Sequence, residues 1–292
     1  MSDLKTVNLN HVLSTRYYQQ GMLEKDLWFR VAERDYTELI RAFDFDTLFS
    51  SFDRPITLLD VGCGTGKFPT MLCPHLSQNI HVQYDYLDPS QHSLDELQKT
   101  LTAPFTPRTA LQSTLESLER SCCPSEGYQI IWCLQSLYCI EHDALKTITN
   151  QLQALLNPRN GLALIYLAAS DAFYHRLYNL YNQAWYPDTR LPYITAEDMT
   201  KTFDALHIAY GVKKLHFPHI ISCSEPHVLD NYINQCVFDT NAYANLQAHT
   251  ALTEFLNTFN NGEQYTFPQD VWLIMFGANT DTTMAARRKF RL

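Results

Sequence analysis

Three glycines, Gly62, Gly64 and Gly66, follow the apolar run ITLLDV and precede KFPTML, where apolar spacing turns helical. That order reads as a strand, a tight glycine turn and a helix. Glycine reaches positive φ without steric cost, and the helix start leaves backbone amides open to a ligand. A dinucleotide site uses the same physics, but Asp60 stands just before the glycines and would repel a pyrophosphate while accepting hydrogen bonds or attracting a cation. The turn therefore points to a ligand without phosphates. Asp88 closes a second apolar run, immediately before Pro89, where its two oxygens can accept from a ribose diol. Capping the next helix is the competing role for Asp88. Asp85, on the opposite face of the same strand, is the weaker candidate.

These residues need a sheet to hold them. Short apolar runs over 56–61, 81–87, 109–112 and 129–134, and the run LALIYLA, read as five strands. Helical spacing fills 90–101 and 141–156, the latter with Ile148, Leu152 and Leu155 on one face. The alternation implies a right-handed, doubly wound, Rossmann-like α/β sheet with its ligand over the carboxyl ends of the strands. LHFPHIIS reads as a sixth strand, and PQDVWLIMF returns to the sheet after an excursion over 225–259 with helix-like spacing. We therefore expect an amino-terminal helical cap over 1–50, an α/β core over 51–217, an accessory helical insertion over 218–268, and a terminal strand and tail over 269–292, all packing as one unit. TTMAARRKFRL reads as a solvated basic tail.

Composition narrows the partners. Across 292 residues, 22 Lys and Arg face 31 Asp and Glu, a formal charge of −9, which argues against general binding of nucleic acid or of an anionic membrane surface. No stretch is apolar enough for a membrane span, and MSDLKTVNLNHVLST has neither the basic flank nor the apolar core of a secretory leader. The eight cysteines form no CxxC pair, so free thiols in a reducing, cytoplasmic setting are expected, with Cys122 and Cys123 in a loop and no zinc site. Nothing demands a partner chain, so a monomer is expected. His142 can serve as a base, although a surface position at a helix start suits it better.

DVGCGTG followed by LDPS resembles a class I S-adenosylmethionine-dependent methyltransferase. CLQSLYCIEH, the polar break after LALIYLAAS, and LPYITAEDMTKTFDALHIAYG are similar to the histamine N-methyltransferase family in particular. The resemblance implies that the Gly62, Gly64 and Gly66 loop surrounds the amino-acid end of S-adenosyl-L-methionine and that Asp88, where the family has Glu, holds the ribose. It also implies cofactor contacts near Ser93, from Ser113, Thr114 or Ser117 after the third strand, and from the backbone around Leu134.

For the methyl acceptor, the resemblance implies Glu24, Gln135 and Gln269, the last replacing the family's Asn. Glu24 has the charge to hold an ammonium or a protonated imidazole, while Gln135 both donates and accepts. Tyr18, Phe173 or Tyr174, and Tyr178 match the family's pocket aromatics, whose faces attract a flat cation. The implied activity is methylation of a small molecule, an amine or imidazole nitrogen, by in-line attack that needs positioning and no covalent enzyme intermediate. The alternatives are O-, carboxyl- or peptide-methyl transfer, or a noncatalytic S-adenosylmethionine-binding interaction protein.

Overall fold

Strand residues in the computed structural model are buried in alternating rows, and that alternation builds its centre. The structure describes residues 13, 14, 16, 25–53, 55–187 and 189–292. In chain order the elements are α1 (Lys25–Ala42), α2 (Phe45–Phe49), β1 (Ile56–Val61), α3 (Lys67–Leu72), β2 (Val82–Leu87), α4 (Gln91–Thr100), β3 (Phe105–Leu111), β4 (Ile130–Leu134), α5 (Leu145–Leu155), β5 (Leu162–Ala168), α6 (Phe173–Trp185), α7 (Ala196–Ala205), β6 (Gly211–Ser222), α8 (Pro226–Val237), α9 (Ala242–Gln247), α10 (Thr250–Asn257), β7 (Gln264–Gly277) and α11 (Thr280–Phe290).

The strands form one sheet in the order β3-β2-β1-β4-β5-β7-β6, with β1 to β5 parallel and β7 antiparallel to both its neighbours. Leu58, Trp132, Leu164 and Leu273 face one layer, packed by Leu39, Phe49, Phe68 and Leu97 from α1 to α4. Leu59, Ile131, Ile165 and Ile274 face the other, packed by Ile148 and Leu152 of α5 and Met199 and Phe203 of α7. Both faces are covered, as the doubly wound reading requires. The strand order reverses between β1 and β4, which opens a crevice at their carboxyl ends.

The β6–β7 hairpin is longer than the sheet it joins. Pairing of β7 with β5 stops at Val271 opposite Ala168, whereas pairing with β6 continues to Gln264 opposite Ser222. The overhang carries Ile221 and Phe267 into a third apolar cluster with Leu177, Ile233 and Leu256 of α6, α8 and α10. A cap is thus seated beside the crevice.

Two local expectations need correction. The third strand begins at Phe105, four residues before the expected start, and contains Pro107. It is an edge strand with a register shift beside Pro107, where the missing amide hydrogen is tolerated. The basic tail is helical as α11. Asn279 caps it by accepting from the Thr282 amide at 2.9 Å, and buried Ala286 and Phe290 pack it on the core, Phe290 lying 4.9 Å from Phe43. Only its basic face is solvated.

Candidate active site

β1 ends in the glycine turn, and the turn is fixed by β2. The amides of Gly62 and Cys63 both donate to the Leu87 carbonyl, at 2.7 and 3.1 Å. Asp88 Oδ2 accepts the Gly64 amide at 3.0 Å and Oδ1 accepts the Ser90 amide at 2.8 Å. A carboxylate oxygen can accept more than one hydrogen bond, which suits this group to a diol. All three glycines of the turn have positive φ, but their surroundings differ. A Cβ on Gly62 would lie 2.4 Å from Ser136 Cβ, and one on Gly66 would lie 2.9 Å from Leu97, whereas one on Gly64 would meet nothing within 4 Å. Gly62 and Gly66 serve packing. Gly64 opens onto a cavity of about 300 Å³ at the carboxyl ends of the strands.

Several expected cofactor residues line that cavity: Gly62, Gly64, Asp88, Ser93, Thr114 and Leu134. Others sit behind it. Asp60 is buried in the core and accepts from the Tyr84 hydroxyl, and burial pushes its carboxyl up to about 7 even though that hydrogen bond opposes the shift. Gly66 is the left-handed residue that starts α3. Ser117 accepts from Thr114 Oγ1 at 3.3 Å and stands back from the wall. Asp85 is fully buried, where it accepts from Arg108 Nε at 2.8 Å and from the Tyr128 hydroxyl at 2.7 Å. Its role is structural.

Beyond the glycine turn and Asp88, a second polar group lies on the wall. Gln135 follows β4 with φ 54°, a left-handed conformation costly for a residue with a side chain. Its Nε2 donates to Asp35 Oδ1 at 3.4 Å, and its Oε1 accepts from Tyr174 OH at 3.4 Å. Asp35 Oδ2 lies 3.3 Å from His219 Nε2, and His219 Nδ1 lies 2.9 Å from Tyr232 OH. Gln269 Nε2 donates to the same hydroxyl at 3.3 Å. Of this polar group, Asp35, Gln135, Tyr174, His219 and Tyr232 all line the cavity. Gln269 is buried one layer behind.

The acceptor residues implied by resemblance divide in the same way. Gln135 and Tyr174 are on the wall. Phe173 is a core residue stacked on Phe267 at 4.0 Å, and Tyr178 is stacked on the outside of Tyr193 at 3.6 Å. Both support the wall and do not form it. Tyr18 and Glu24 lie outside the described residues. His142 is on the surface, 3.5 Å from Asp198, away from the cavity. Aromatic faces do enclose the polar group: Trp28 stacks on Tyr232 at 5.3 Å, and Tyr138 stands edge-on to Tyr193 at 5.2 Å.

Asp35 and His219 escaped the motif search, yet each carries a signal. In α1 the inward stripe runs Trp28, Val31, Ala32, Asp35, Leu39, so a carboxylate occupies an apolar helical position. In β6 the inward row runs Leu215, Phe217, His219, Ile221, so an imidazole occupies an apolar strand position. A buried polar group in an apolar row is the informative exception.

A family model described as a methyltransferase domain matches residues 31–206. Among curated proteins, none matches. Solved structures share the fold at low identity. The YcgJ protein of Bacillus subtilis is 17% identical, with a TM-score of 0.53 over 85% of this chain and 100% of that one. A putative methyltransferase of Bacillus halodurans is 13% identical, with a TM-score of 0.52 over 80% and 97%. A SAM-dependent methyltransferase of Thermotoga maritima, described as a possible histamine N-methyltransferase, is 13% identical, with a TM-score of 0.50 over 92% and 100%.

Proposed function

The chain belongs to the methyltransferase-domain family, and on that premise we propose that it methylates a nitrogen of a small, cationic or imidazole-bearing amine. S-adenosyl-L-methionine is its cofactor, and the cavity fits that ligand: Asp88 offers acceptors for a diol, and Gly64 leaves an open approach to the backbone. When bound, the sulfonium supplies an electrophilic methyl group. The chain's own residues must then hold the acceptor nitrogen in line, keep water out and accept its N–H groups.

The carrying observation is Asp35, a carboxylate only 8% exposed that faces a cavity walled by Trp28, Tyr138, Tyr174 and Tyr232. A buried carboxylate needs a cation or a hydrogen-bond donor, and aromatic faces favour a flat cation. Gln135 links that carboxylate to the end of β4, where Leu134 also borders the cofactor end of the cavity. Donor and acceptor ends therefore meet within one side chain's reach. Asp35 supplies in this reading the kind of carboxylate that the resemblance implied at Glu24, which lies outside the described residues.

The test uses radiolabelled S-adenosylmethionine with a panel of amines, hydroxyl compounds and carboxylic acids. Wild-type protein is expected to label amines, and Asp35→Asn to raise the amine KM by about 10- to 100-fold, the loss of one charged contact, with cofactor affinity within about two-fold. Label entering only hydroxyl compounds or acids, or an amine KM unmoved by Asp35→Asn, overturns this reading.

A further inference from the structure

Resting on that reading, we propose that His219 takes the proton released by the acceptor nitrogen, with Asp35 and Tyr232 setting its orientation and tautomer. His219 Nε2 and Asp35 Oδ2 are 3.3 Å apart but out of line for a hydrogen bond, and Nε2 has no hydrogen-bond partner among the described residues. His219 is 3% exposed and lines the cavity. On the other side of the ring, Nδ1 lies 2.9 Å from the Tyr232 hydroxyl, whose oxygen also accepts from Gln269 Nε2; the role requires the tautomer in which Nδ1–H donates to that oxygen and Nε2 keeps its lone pair. Burial raises the Tyr232 phenol well above its ordinary range, so the hydroxyl stays neutral.

In that tautomer two acceptors, Nε2 and Oδ2, face one space on the cavity wall, and a single N–H placed between them satisfies both. The acceptor of the proposed reaction brings such a group. As its nitrogen lone pair forms the N–C bond, the C–S bond breaks and its electron pair stays on sulfur. The nitrogen then carries a positive charge, and its N–H proton passes to the Nε2 lone pair. The resulting imidazolium lies against the Asp35 carboxylate, and the proton returns to water when product leaves. Asp35 from α1 and Tyr232 from α8 lie against His219, and Cys236 of α8 and Gln269 of β7 lie in turn against Tyr232.

Phenethylamine and histamine serve as probes, one carrying only a primary amine and the other an imidazole as well. At saturating cofactor and one fixed pH, His219→Gln should lower turnover of both probes by about 100-fold, the scale of general base catalysis. In the presence of S-adenosylhomocysteine, calorimetric binding of phenethylamine to His219→Gln should stay within about three-fold of wild type, because glutamine still offers an acceptor oxygen, with S-adenosylhomocysteine affinity unchanged. Should His219→Gln fail to fold, Tyr232→Phe keeps the ring and removes the tautomer's anchor, and should slow turnover by about 10-fold. Wild-type turnover in whichever variant folds overturns the role of His219 alone. Wild-type protein that labels neither probe nor any other amine overturns the nitrogen reading itself.

Discussion

Asp88 accepts the Gly64 amide at 3.0 Å, so the residue that closes β2 also shapes the turn that closes β1. A carboxylate in that position can serve a ligand and hold the glycine turn at the same time. Asp88→Ala should weaken S-adenosylmethionine binding by about 10- to 100-fold, the value of a charge-assisted hydrogen bond or two. Isothermal titration checks this. Asp88→Asn, which keeps one acceptor oxygen for the Ser90 amide, should lose less; unchanged affinity in Asp88→Ala would remove the ribose contact from the account.

Gly62 and Gly64 separate packing from binding. Both have positive φ, so alanine costs about 1 kcal/mol at either from backbone strain alone. Gly62→Ala adds a collision with Ser136 and should lower the melting temperature much further. Gly64→Ala meets no protein atom, so its larger effect should be on cofactor affinity. Equal stability losses with intact affinity in Gly64→Ala would show that the ligand does not approach there.

Gln135 is held at φ 54°, a conformation glycine adopts freely, but its side chain also donates to buried Asp35. Gln135→Gly relieves about 1 kcal/mol of backbone strain and gives up a donor to a buried carboxylate, which costs about 1–3 kcal/mol, so chemical denaturation should show no net gain while the acceptor KM rises. A variant that is clearly more stable and binds acceptor as wild type does would remove the reason for keeping a glutamine there.

Two buried groups act oppositely on stability below neutrality. Burial raises the Asp60 carboxyl from 3.8 to about 7, so the folded chain holds a proton that the unfolded chain has lost, and stability falls as pH rises through that range. Burial lowers His175 from 6.5 to about 3, so the unfolded chain binds the extra proton, and stability falls as pH drops through that range. Between about 4 and 6.5 the two slopes offset each other. Denaturation across pH should therefore show stability rising more steeply with pH in Asp60→Asn and falling with pH in His175→Gln. Parallel curves for all three proteins would exclude both assignments.

The residues at the proposed cofactor end could be placed from the sequence because their positions are local: Gly62, Gly64, Asp88 and Leu134 lie next to strand ends that apolar runs reveal, and all four line the cavity. Asp60 misled for a physical reason, since a carboxylate at a strand end reads as a site residue until Tyr84, on the neighbouring strand, is known to donate to it. The acceptor end depends on a long-range register. His219 reaches Asp35 only because the β6–β7 hairpin overshoots β5 and carries its inward row against α1. Phe173 and Tyr178 had the right composition, but α6 turns both into the cap's core, leaving Tyr174 on the wall. Helix α11 was missed because charge dominates TTMAARRKFRL, and burial of Ala286 and Phe290 requires the folded sheet edge.

The most direct test of the whole account is the position of a transferred methyl group. Purified protein would be incubated with carbon-13 methyl-labelled S-adenosylmethionine and a metabolite extract, and the labelled product identified by mass spectrometry and by correlation of the methyl carbon to its neighbouring atom. The account predicts label on the nitrogen of a small amine or imidazole, with the signal strongly reduced in Asp35→Asn. Label found only on oxygen or a carboxylate, or a nitrogen product formed equally by Asp35→Asn, would contradict it.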